Sequence, residues 1–201
     1  MSSVSDWRVT PRRSRSELPK DITLDLKIDI FHERIEGWKL DIADQLINGI
    51  KDEKGNTITE GNPNAGYAVL DIILSYFEMI AKYQAGYLGI KSKPYFKKGV
   101  CMVFPELERE DPNLVDMLLD TLYYGARCGL YHNGLTDTSI YLEGGRPPIT
   151  FLSDGKAIIN PHELVLVVKR HFDSYIEQLK DVRNLELRQK FEKRFDEDNS
   201  P

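Results

Sequence analysis

Two side chains in the stretch Tyr123-Tyr124-Gly125-Ala126-Arg127-Cys128-Gly129-Leu130-Tyr131-His132-Asn133-Gly134 could act on a phosphodiester. Arg127 carries a permanent charge on a planar fork that matches phosphate oxygens. His132 can take up or release a proton near neutral pH. The stretch reads as the end of a helix, where partial negative charge favours a protonated imidazole. Such a cation can protonate a leaving alkoxide while the guanidinium stabilises the charge that builds on the phosphoryl oxygens. RNA cleavage by this route needs no metal, because the 2′-hydroxyl is the nucleophile. It does need both an acid and a base, and one protomer offers one such histidine. A two-fold dimer that brings two of these helices together would supply both.

On a regular helix, five residues turn the chain by about 140° and rise about 7.5 Å. Arg127 and His132 would then face different ways. The expectation is that the helix end unwinds and brings the imidazole back toward the guanidinium. Tyr131 could stack on a base, and Asn133 could orient a phosphate or simply stop the helix. The competing reading is structural: a cation near a helix C-terminus and a surface guanidinium.

The remaining candidates are weaker. His32 and His171 sit in amphipathic helices without ligand-spaced partners, and His162 is explained by a first-turn position. No cluster of His, Cys, Asp and Glu has metal-ligand spacing, so no metal or cofactor is expected. Gly144-Gly145 lacks the strand-to-helix context of a phosphate cradle.

The elements that must position Arg127 and His132 are mostly helical. Leu26, Ile30, Ile35, Trp38, Ile42, Leu46 and Ile50 predict an amphipathic helix, with Gly37 as its weak point. Lys51 to Pro63 reads as a loop. Val69, Ile72, Ile73, Tyr76, Phe77, Ile80, Tyr83 and Tyr87 form the wide stripe of a central core helix over Ala65 to Tyr87. Lys91 to Lys98 reads as a basic loop whose lysines and aromatics could hold a single strand or tuck onto the core.

Asp111 and Pro112 start the motif helix. Leu114, Met117, Leu118, Leu122, Ala126 and Leu130 are its expected core face, and Asn133-Gly134 ends it. Three short runs, Ser139 to Leu142, Ile149 to Leu152 and Lys156 to Ile159, predict a small β-meander, with Asp154-Gly155 as a hairpin turn. Asn160, Pro161 and Glu163 open the last helix. Its stripe is Leu164, Val168, Phe172, Tyr175, Leu179 and Val182. The helical pattern extends to about Phe195 with a strongly charged second half.

The expected organisation is a flexible basic arm over residues 1–20, one mainly α domain over 21–195, and a disordered acidic tail over 196–201. With 41% hydrophobic residues, a folded core is attainable. The net charge of −5 argues against a surface that coats nucleic acid, though not against a local phosphate site. Cys101 and Cys128 have no redox or metal spacing, no run is long enough to span a membrane, and no signal peptide is apparent. A cytoplasmic setting is expected.

The motif resembles the HEPN family (higher eukaryotes and prokaryotes nucleotide-binding domain). Its signature is a helical Arg, four to six residues, then His at the end of a core helix. Arg127-Cys128-Gly129-Leu130-Tyr131-His132 fits with four intervening residues. The preceding long helix, the following hairpin and the Asn-Pro-opened helix extend the resemblance over about residues 25–182. It implies an up-down helical bundle with a small β insert before the last helix, and a homodimer formed through the motif helices. It also implies a metal-independent endoribonuclease, of the kind found in phage defence, toxin–antitoxin pairs or RNA processing, with Arg127 and His132 as the catalytic pair. Many active members carry a polar residue after the Arg, where this chain has Cys128. One toxin subgroup has a Tyr two residues after the His, where this chain has Gly134. Other members bind RNA, nucleotide or a protein partner without cleaving.

Overall fold

Thr23 caps the first helix, its hydroxyl accepting the Leu26 amide at 3.3 Å. In the computed structural model, which describes residues 6–200, α1 (Leu24–Ile35) runs into a π-turn (Glu36–Leu40) and then α2 (Asp41–Asn48). Gly37 lies in the π-turn. The extra residue in such a turn rotates all that follows by about 100°. The buried face passes from Ile28, Phe31 and Ile35 to Leu40, Ala43 and Ile47. Trp38, Ile42, Leu46 and Ile50 were expected in the core but are 37–44% exposed. The expected loop after α2 holds a short antiparallel hairpin, β1 (Ile50–Lys51) with β2 (Thr57–Thr59).

Helix α3 (Gly66–Ala85) is the centre of the fold. Val69, Leu70, Ile73, Leu74, Tyr76, Phe77, Ile80, Ala81 and Tyr83 are all buried, which covers about half of its circumference. Each large apolar side chain so buried contributes roughly 1.5–3 kcal/mol. The basic segment that reads as a loop is instead part of α4 (Lys93–Val103), with Pro94 in its first turn. Phe96 is fully buried against Phe77, and Tyr95 stacks on Tyr87 with ring centroids 4.1 Å apart. Lys93 and Lys97 pair with Asp120 at 2.8 and 2.5 Å. Lys93 and Lys97 thus hold their charge against Asp120 within the fold, whereas Lys91 and Lys98 are exposed. Gly99 is where α4 meets α3: a Cβ there would lie 1.8 Å from the Phe77 carbonyl oxygen.

A 3₁₀ turn (Pro105–Arg109) leads to α5 (Pro112–Thr121), capped by Asp111, whose carboxylate accepts the Asn113 and Leu114 amides. A second π-turn (Leu122–Cys128) and α6 (Gly129–Asn133) complete the motif helix. Gly134 closes it in the left-handed conformation, with φ of 72°. Leu118, Leu119, Leu122, Ala126 and Leu130 form the buried face, whereas Leu114 and Met117 are exposed.

Strands β3 (Ile140–Leu142), β4 (Ile149–Phe151) and β5 (Ala157–Ile159) form a sheet ordered β3-β5-β4. The β4–β5 hairpin turns at Asp154-Gly155 as expected. The whole is not a meander, because β3 pairs with β5 in parallel. Ala157, Ile158 and Ile159 are all buried, so the most apolar run takes the central place. Asn160 caps α7 (Pro161–Lys180) by accepting the His162 amide at 3.2 Å. Leu164, Val168, Phe172, Tyr175 and Leu179 are buried as expected, and Val182 is not.

Residues 181–184 reverse the chain, and α8 (Leu185–Asp198) returns along α1 and α3. Phe191 and Phe195 are buried, with Phe191 5.3 Å from the Phe31 ring. The charged second half therefore packs within the same chain. The acidic end is tied down too: Asp196 accepts from Lys27, Asp198 from Arg194, and Asn199 from Arg34. The N-terminal segment makes contacts of the same kind. Thr10 is buried and donates to Glu33 at 2.6 Å, Arg13 pairs with Glu33 at 3.0 Å, and Arg34 donates to the Val9 carbonyl. Residues 1–5 of that arm and Pro201 lie outside the described residues. Among the described residues, no helix is long and apolar enough to cross a membrane.

Two substitutions test this packing by urea unfolding. Gly99→Ala is expected to cost about 3 kcal/mol, the upper range for overpacking, because the obstructing atoms are backbone. Phe191→Ala is expected to cost about 3–5 kcal/mol, whereas a loosely attached α8 would leave the midpoint unchanged.

Candidate functional site

The motif helix is irregular upstream of where its sequence suggests. In the π-turn the Gly129 amide reaches back to the Tyr124 carbonyl, one residue further than in an α-helix. The Gly125 carbonyl is released and accepts the Asp137 amide at 2.9 Å. This closeness needs glycine: a Cβ on Gly125 would lie 2.5 Å from Ser139 Oγ and 2.7 Å from Asp137 Oδ1. Pi-turns of this kind recur at functional sites.

Arg127 stands at the end of that turn and points toward α3. Its Nη2 donates to Glu78 Oε2 at 3.3 Å. Its guanidinium lies 5.0 Å from the Tyr131 ring centroid and 6.0 Å from that of Tyr123. This is within the range of cation–π attraction. The side chain is 25% exposed at one wall of an open groove of about 270 Å³. Lys82, Arg127 and Arg194 supply three cations to this groove, and Glu78 and Asp198 two carboxylates. Burial would raise the Glu78 pKa, but hydrogen bonds from Lys82 and Ser92, with the charges of Lys82 and Arg127, outweigh it. Glu78 is therefore held below the ordinary glutamate value and is anionic at neutral pH.

His132 does not join Arg127 in this groove. Residues 129–133 keep regular α geometry, so the expected unwinding at the helix end does not occur. The five-residue spacing leaves the two side chains on different faces. His132 is exposed, and its ring meets that of Tyr131 edge-on at 5.0 Å. Tyr131 thus touches both candidate residues and is itself 71% exposed. Asn133 is exposed beside them. Leu114, Met117, Tyr124 and Leu135 are also exposed along the same motif segment. The helix that carries the candidate residues thus leaves substantial apolar surface uncovered within one protomer.

Glu78, Lys82 and Arg194 escape a sequence reading centred on the motif. The signal for the first two was present: a charged pair four apart within the apolar α3. Arg194 had no local signal, since only the return of α8 brings it to the groove. No family model, curated protein or solved structure matches this chain.

The lowered Glu78 pKa sets a pH dependence. The stabilising contribution of the carboxylate is full above about 4.5, the ordinary glutamate value. It is lost as the pH falls through the lower folded value. Glu78→Gln should therefore be less stable than the wild type at pH 7, with the gap closing toward pH 3. Urea midpoints at the two pH values measure it.

Proposed function

We propose that this domain is a HEPN-like, metal-independent endoribonuclease whose site is completed by a second copy of the chain. The observation that carries the reading is the placement of Tyr131. It lies between a guanidinium set over its ring face and an exposed imidazole at its edge, on a helix with uncovered apolar surface. Pairing two motif helices would bury Leu114, Met117, Tyr124, Tyr131 and Leu135. It would also bring the exposed His132 of each copy toward the other's Arg127.

The chemistry follows from that pairing. One histidine removes the proton from a ribose 2′-hydroxyl, and the oxygen attacks the adjacent phosphorus. Arg127 stabilises the charge on the non-bridging oxygens. The protonated second histidine donates to the departing 5′-oxygen. The products are a 2′,3′-cyclic phosphate and a free 5′-hydroxyl. Tyr131 offers a face on which a base can stack.

One observation favours a second reading, in which the dimer binds RNA or nucleotide without cleaving it. Arg127 is already paired with Glu78, so a phosphate must compete with a carboxylate for the guanidinium. With Cys128 in place of a polar residue after Arg127, the position next to the guanidinium offers only a weak S–H donor.

The test is cleavage of total RNA in EDTA by the wild type, His132→Ala, Arg127→Ala and Tyr131→Asp. The catalytic reading expects both Ala variants to lose about 100-fold or more in rate. Tyr131→Asp should lose cleavage together with dimerisation, as followed by sedimentation. Equal cleavage by wild type and both Ala variants would sink it. Absence of cleavage, with Arg127-dependent RNA binding that Glu78→Gln strengthens, would establish the second reading instead.

A further inference from the structure

Helices α1 and α7 pack side by side, and at their shared surface an i,i+4 pair meets a side chain distant in sequence. His32 comes from α1, Glu36 from the first residue of the following π-turn, and Asp173 from α7. One ligand atom from each lies within 4.8 Å of the other two. We infer that this cluster is a site for a divalent first-row transition metal, with zinc the first choice, and that the ion ties α1 to α7. None of its residues belongs to the Arg127 groove, so the inference does not rest on the proposed RNA chemistry.

The donor set selects the ion. One imidazole and two carboxylates suit zinc, manganese, iron or nickel, and are less suited to magnesium or calcium, which favour all-oxygen shells. Two carboxylates and a neutral imidazole also balance a 2+ charge. Zinc sits about 2.0–2.2 Å from such ligands, so the donors must come within roughly 3.5 Å of one another. His32 Nε2 and Glu36 Oε2 are already 3.7 Å apart. Asp173 is exposed.

Electrostatics points the same way. Glu36 and Asp173 bring two carboxylates to one patch, and a cation seated between them would be attracted by both. Besides His32 itself, the described ion pairs give Glu36 only Arg12, 3.3 Å away and 65% exposed. An exposed guanidinium so placed contributes little. Asp173 makes no ion pair among the described residues. His32 is meanwhile oriented by packing, its ring 5.9 Å from that of the buried Phe172.

The sequence reading left His32 without ligand-spaced partners. Glu36, four residues on, was overlooked, and Asp173 needed the fold.

The experiment is calorimetric titration of the full chain with zinc chloride, beside His32→Ala, Asp173→Asn and Arg12→Ala, with manganese in a parallel arm. Circular dichroism confirms that each variant is folded. One zinc per chain is expected. Affinity should fall at least about tenfold in the first two variants, a loss seen even for groups that only orient a metal ligand. It should rise in Arg12→Ala, where no guanidinium competes for Glu36. Saturating zinc at about 100 times Kd should raise Tm by about 5 °C or more in the wild type. Equal zinc affinity in the wild type, His32→Ala and Asp173→Asn would overturn the inference. So would the absence of heat and of any Tm shift up to about millimolar zinc.

Discussion

A central helix whose whole apolar face is closed off by its neighbours is the constraint on which this molecule depends. Helix α3 is packed by α2, α4, α7, α8 and the motif helix. Phe77 receives Phe96 and Gly99 from α4. Tyr76 hydrogen-bonds His171 of α7 at 2.7 Å. Tyr83 lies between Phe31 and Phe191. Glu78 holds Arg127. Close packing makes such a helix intolerant of added volume, and the Glu78 carboxylate adds a polar tie to the motif helix beside its buried apolar face.

The two π-turns are the second organising feature. Each inserts a residue and rotates the apolar face that follows. In the first, the rotation keeps Leu40, Ala43 and Ile47 against α3 and turns Trp38 and Ile42 outward. In the second, it frees the Gly125 carbonyl to hold the following loop and aims Arg127 inward. A helix that stayed regular could not serve the core before and after these points with the residues this chain has.

Charge does more structural than surface work here. The basic N-terminal segment, the lysines of α4 and the acidic C-terminal end each read as solvated tracts. Each is instead partly neutralised across the fold: Arg13 meets Glu33, Lys97 meets Asp116 and Asp120, and Asp196 meets Lys27. The cations left facing an accessible groove are few, which fits a local phosphate site better than a broad nucleic-acid surface.

The sequence by itself determined the mainly helical class, the core faces of α3 and α7, the Asp111 and Asn160 caps and the hairpin at Asp154-Gly155. These rest on local periodicity and on backbone groups satisfied within a few residues. It also marked Arg127, Tyr131, His132 and Asn133 by type and spacing. Tertiary structure alone decided the rest. Face rotation at a π-turn depends on which neighbours must be met, so Trp38 and Ile42 misled. The parallel pairing of β3 with β5, the docking of both chain ends, and the meeting of Arg127 with Glu78 or His32 with Asp173 join residues tens of positions apart. Such contacts leave no periodic trace, because their geometry exists only once the core has closed.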